Sequence, residues 1–169
     1  MPPCTTMQDL QRIGSLKRGK ALAALAIALA GCSAASGCSR SGDGGVPVAC
    51  REGPAAVRAA LARAPGPVTL GGGTPLSDCF ASEGDAADVQ QVGGAYLGAA
   101  AGLAAGARSR PDGPAALRLG YLMGAVRRGA GDGRGIYYEL VRRLEQETAG
   151  VDTSTAAYRR GFAAGRSGG

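Results

Sequence analysis

Histidine is absent from the chain, and both lysines, Lys17 and Lys20, lie near its start. Ser-His-Asp and Cys-His devices and imidazole-ligated zinc are thereby excluded, as are Ser-Lys dyads and Schiff bases beyond residue 20. Carboxylates remain. Asp78, Glu83, Asp85 and Asp88 cluster just ahead of a long apolar segment, and two of them could form an acid/base pair of glycosidase type. Acids in that position also complement the positive end of a helix dipole, and capping is the expected role. Arginines recur as the pairs Arg127-Arg128, Arg142-Arg143 and Arg159-Arg160. Guanidinium groups pair phosphate and carboxylate bidentately, so these six are the candidate anion-binding residues. Neighbours in a helix point about 100° apart, however, and solvated helix faces are the simpler expectation for each pair. Gly71-Gly72-Gly73 lacks the lysine and the strand-to-helix context of a phosphate loop. No catalytic residue, metal or cofactor is assigned.

The leader carries the clearest motif. Lys17-Arg18-Gly19-Lys20 precedes the apolar run Ala21 to Ala30, and Gly31-Cys32 follows. A basic segment before a short apolar one reads as a secretory signal, since a bilayer span needs about 20 apolar residues. Leu29-Ala30-Gly31-Cys32 resembles the lipobox of bacterial lipoproteins. That resemblance implies cleavage before Cys32, a diacylglyceryl thioether on its sulfur, and residues 1–31 as signal peptide. Residues 1–16 are long for such a leader, which makes Met7 a second candidate start. Two acyl chains, each methylene contributing about 0.8 kcal/mol on burial, would hold a small protein durably on a membrane, facing the extracytoplasmic side.

This reading discounts the net charge of +6. Arg12, Lys17, Arg18 and Lys20 belong to the leader with a single acid, Asp9, leaving 15 basic and 12 acidic residues from Cys32 onward. Basicity is therefore partly a targeting signal, and no nucleic-acid partner is expected. Residues 32–48 are rich in serine and glycine and lack apolar periodicity, as a lipidated tether would. Export permits disulfides. Cys4 lies in the leader and Cys38 in the tether, whereas Cys50 and Cys79 border ordered segments and are paired.

The elements beyond the tether read as helices over residues 49–167. Pro54 to Ala64 is a short helix ended by Pro65-Gly66-Pro67; an extended arm at Val68-Thr69-Leu70 leads to a helical stretch near Ser77 to Ser82. From Asp85 to Ala107, Val89, Val92, Tyr96, Ala100, Leu103 and Ala107 form one face, opposite Gly94, Gly98, Gly102 and Gly106. Each interior glycine costs about 1 kcal/mol against alanine, so this helix is expected to be central, with another backbone close on its glycine side. With Gly120 and Gly124 the pattern also resembles the glycine-zipper segments of some small envelope lipoproteins, which implies insertion in the membrane. Gln90, Gln91, Arg118, Arg127 and Arg128 would be costly in lipid, and a buried soluble helix is preferred. Ala115 to Arg128 and Ile136 to Thr148 follow as helices. A last one from Ser154 to Ala164 is capped by Asp152 or Thr153, docks through Tyr158 and Phe162, and frays after Arg166.

The whole is expected to be an all-α bundle of four or five short helices with one disulfide, tethered to a membrane through lipid. The function expected is a non-enzymatic envelope module that binds an envelope protein or an anionic wall polymer, or positions a partner. The competing classes are a carboxylate enzyme acting on cell-wall saccharide and a glycine-zipper structural lipoprotein associated with the membrane.

Overall fold

Proline in the first turn, where a missing N–H costs nothing, starts α1 (Pro54–Leu61) and α3 (Pro114–Ala130). Side-chain caps start two others. Asp85 accepts from the Asp88 amide at 2.8 Å to open α2 (Ala86–Ser109), and Thr155 accepts from the Tyr158 amide at 3.2 Å to open α5 (Ala156–Gly168). Gly135, at φ +101°, turns the chain into α4 (Ile136–Glu147). The computed structural model describes residues 45–81, 84–131 and 135–169. The signal segment, Cys32, Cys38 and Glu83 lie outside them.

The five helices form one all-α body whose described residues hold no β-sheet, only an isolated bridge between Thr69 and Pro75. Before α1 lies a 3-10 helix, Val48–Arg51, and before α2 another, Leu76–Phe80. Cys50 and Cys79 join these two in a fully buried disulfide, with 5.5 Å between the Cα atoms. The expected tether gives way to packed chain earlier than residue 49, because Val46 is already buried.

Residue pairs across the interfaces give the helix directions. Gly106 lies against Ala115, so α2 and α3 form an antiparallel hairpin. Gly93 lies against Leu140 while Arg108, near the end of α2, reaches the Glu147 and Ala149 carbonyls at and just past the end of α4, so α2 and α4 run parallel. Gly120 faces Tyr158, Gly124 faces Phe162, and Gly161 and Gly165 face Leu117 and Tyr121, so α3 and α5 are also parallel.

This last interface corrects the expectation for α2. The central helix is α3, buried from Ala116 to Val126 except at Arg118, and its packing on α5 is the most extensive among the described elements. A methyl at Gly120, Gly124, Gly161 or Gly165 would sit well inside van der Waals contact with a carbonyl oxygen of the facing helix. Four missing side chains thus let two backbones touch, the geometry in which Cα–H groups meet carbonyls. On α2 the glycine row is covered only by side chains: Gly98 by Pro54, Gly102 by Arg58, and Gly94 by nothing within 4 Å. The reason is length. The eight-residue α1 is the neighbour on that side, and it presents a proline and an arginine instead of a small-residue face.

The α5 terminus differs as well. The helix continues through Arg166 to Gly168, and Gly169 packs on Ala125, because the glycine face that seats α5 persists to its end. Two phenols tie the bundle to its irregular segments: Tyr96 donates to the Leu76 carbonyl at 2.9 Å, and the Tyr121 oxygen accepts from the Val68 amide at 3.3 Å.

Candidate functional site

The carboxylates ahead of α2 have structural partners. Asp85 is the helix cap, Asp88 pairs with Arg51 at 2.5 Å, and Asp78 accepts from the Ser77 hydroxyl at 3.2 Å. Among the described residues no three acidic or cysteine side chains are grouped to hold a metal ion.

The six arginines do not all converge on one surface, since they meet different partners. Arg142 and Arg143 share Glu139, at 3.1 and 3.2 Å; their hydrogen bonds hold that carboxyl below its usual range. Arg128 donates to the Ser167 carbonyl. Arg127 pairs with Glu145 at 2.5 Å, its guanidinium 5.8 Å from the centre of the Phe162 ring. Arg159 and Arg160 are exposed and form no ion pair with a described residue.

Two of the six do meet. Arg127 from α3 and Arg159 from α5 line a groove of about 570 Å³, together with Met123, Glu145, Thr148, Thr153, Tyr158 and Phe162. Local structure explains its construction. The parallel fit of α3 and α5 brings Met123 and Arg127 beside Tyr158 and Phe162, whose rings stack at 6.4 Å. The segment from Thr148 to Thr153 bends from α4 into α5 and supplies the hydroxyl-bearing wall. That bend is held by Arg108, which donates to the Glu147 and Ala149 carbonyls at 2.9 to 3.1 Å, and by Asp152, which accepts from the Ser154 amide at 2.9 Å.

Tyr158 is the unusual member. It is 8% exposed, yet its hydroxyl forms no hydrogen bond with any described residue. Burial is the chief cause that raises its phenol above the ordinary range; Arg127 opposes the shift and Glu145 adds to it. A neutral O–H therefore stands ready to donate, next to the exposed Arg159 and the paired Arg127. The groove's lining carries Arg127, Arg159 and Glu145, and Asp152 beside it interacts electrostatically with Arg159. Such a concavity suits a single carboxylate or phosphate group with an apolar body beside it. Tyr158 was visible in the sequence only as a docking residue, because apolar spacing places a ring without saying where its hydroxyl goes.

A second groove, between α2 and α4, is more apolar: Ala86, Val89, Gly93, Leu97, Ile136 and Leu140 line it, with Glu139 and Arg143 at its rim. Among the described residues no helix is long and apolar enough to cross a membrane. No protein-family model matches the chain, and neither a curated protein nor a solved structure matches it.

Proposed function

We propose that this chain is a lipid-anchored envelope protein whose helical domain is a non-enzymatic binding module for an acidic group. The anchor rests on the lipobox-like Leu29-Ala30-Gly31-Cys32 behind its basic and apolar segments. The binding role rests on Tyr158, whose ring is buried while its hydroxyl, without a partner among the described residues, reaches the solvent of a groove that also presents the exposed Arg159. Its ligand is a carboxylate or phosphate carried by an envelope protein or a wall polymer. Neutral Tyr158 and the threonine hydroxyls would donate to it, and Arg159 would pair with it.

The test uses full-length protein purified in mild detergent from the membranes of a producing bacterium. Mass spectrometry of the N-terminal peptide should find Cys32 carrying a diacylglyceryl group, and the Cys32→Ala variant should retain its leader. Binding is then measured by fluorescence polarisation with labelled oligoglutamate and labelled polyglycerol phosphate. One of the two should bind, and Arg159→Ala and Tyr158→Phe should each weaken it by roughly ten-fold or more, the usual effect of losing a charge-assisted hydrogen bond. The fold of Tyr158→Phe should be unimpaired, because the hydroxyl has no partner to lose. An unmodified Cys32 would overturn the anchor; failure of both probes to bind would overturn the groove.

A further inference from the structure

Among the described residues three large apolar side chains are exposed: Val48 at 71%, Ile136 at 62% and Tyr138 at 61%. Exposed hydrophobic residues scattered singly are ordinary. These three share one end of the bundle. Ile136 and Tyr138 occupy the first turn of α4; Ile136 shares a groove with Ala86 and Val89 at the start of α2, and Tyr138 shares one with Ala130 and Gly131 at the end of α3. Val48 lies two residues from Val46, which packs at Gly84 beside the Tyr137 hydroxyl, just ahead of α2.

The described chain also begins there, at Gly45, 13 positions after Cys32. At no more than about 3.6 Å per residue, that stretch spans at most about 47 Å, so this end stays within that distance of any lipid on Cys32. Arg166 lines the groove that holds Tyr138, and Arg128 lies one turn before the end of α3; neither forms an ion pair with a described carboxylate. Asp88 and Glu139, the acids on the first turns of α2 and α4, are neutralised by Arg51 and by Arg142 with Arg143, which leaves the α2 cap Asp85 as one acid there against the two arginines. Aliphatic and tyrosine side chains beside these arginines match the chemistry of a phospholipid headgroup layer.

We infer that this end, presenting Val48, Ile136 and Tyr138, rests on the bilayer that holds the anchor, so that the domain stands on the membrane in one orientation. The inference rests on the lipid anchor proposed above. A lipid surface held close by covalent attachment needs little intrinsic affinity to stay engaged.

The chain contains no tryptophan, so single-tryptophan variants report position without background. Ile136→Trp and Tyr138→Trp probe this end, and Asp112→Trp, in the turn between α2 and α3, probes the other. Each full-length, membrane-purified variant is reconstituted into phosphatidylglycerol–phosphatidylcholine vesicles with brominated acyl chains. Ile136→Trp and Tyr138→Trp should lose roughly half of their emission relative to unbrominated vesicles, as interfacial indoles do, while Asp112→Trp stays unchanged. Equal quenching of all three, quenching of Asp112→Trp alone, or no quenching would overturn the orientation. Mass spectrometry of the same samples separates the two failures: unmodified Cys32 removes the anchor, whereas lipidated Cys32 without quenching removes only the docking.

Discussion

Glycines of one residue type do opposite work in this molecule. At Gly161 a methyl group would collide with the Leu117 carbonyl, and neither partner is a flexible side chain. Gly161→Ala should destabilise by about 1–3 kcal/mol through overpacking, despite alanine's better helix propensity. Gly94 faces open space, and Gly94→Ala should stabilise by about 1 kcal/mol. Urea midpoints of the two variants, at unchanged slope, give the comparison directly. The phenols supply a prediction in pH. Burial, with a smaller contribution from Asp78, pushes Tyr96 far above the ordinary phenol range, and burial is also the leading cause raising Tyr137 and Tyr158. A raised acid binds its proton in the folded state where the unfolded chain has released it. Stability is therefore whole below pH about 10 and falls as the pH climbs beyond it. An alkaline absorbance titration should find a class of tyrosines that ionises only on unfolding, and Tyr96→Phe should make that class smaller.

The disulfide acts between elements. It joins two 3-10 helices whose few internal hydrogen bonds could not hold them, and closes a loop with a separation of 29 residues. A Cys50→Ala/Cys79→Ala double variant should lose about 3–4 kcal/mol in the chain-entropy account, measured by urea unfolding against the oxidised parent. This pairing was legible from position, because Cys50 and Cys79 border the segments whose patterns read as helices. The helices were legible too. Leu140 and Leu144 of α4, and Leu119, Leu122, Met123 and Val126 of α3, are buried as their periodicity requires. The choice of glycine face was not. Four glycines spaced by four on α2 made the more conspicuous row, yet two on α3 and two on α5 form the close contact. Spacing shows that a face is small; it does not show which other small face will be brought opposite, and that depends on the lengths of α1, α4 and the turns.

For the whole molecule, parallel α2 with α4 and α3 with α5 sort the features by end. Gly45, Val48, Ile136 and Tyr138 lie at one end, and the groove walled by Thr148, Thr153 and Tyr158 opens toward the other, where α4 bends into α5. An acidic ligand would thus be met on the side away from the proposed bilayer contact. The affinity for whichever polyanion probe binds in detergent should be unchanged after reconstitution into zwitterionic vesicles, and a large loss would mean that the membrane occludes the groove. Salt should weaken that binding in both settings, because Arg159 is exposed and screened.

Composition and periodicity sufficed for the helical class, the start of α1 at Pro54, the disulfide and the capping role of Asp85, but not for the cap of α5, which is Thr155 where Asp152 or Thr153 was expected. Each of the former follows from local chemistry: a ring that lacks an N–H, a side chain that accepts from the next turn, or a thiol beside ordered chain. The scattering of the arginine pairs, the central place of α3 and the solitary Tyr158 hydroxyl depend on contacts between residues far apart in the chain. Side chains adjacent in sequence diverge around a helix, so Arg127 finds Glu145 and Phe162 while Arg128 finds Ser167. Which distant partner a side chain reaches is set by helix packing, and local spacing carries no record of it.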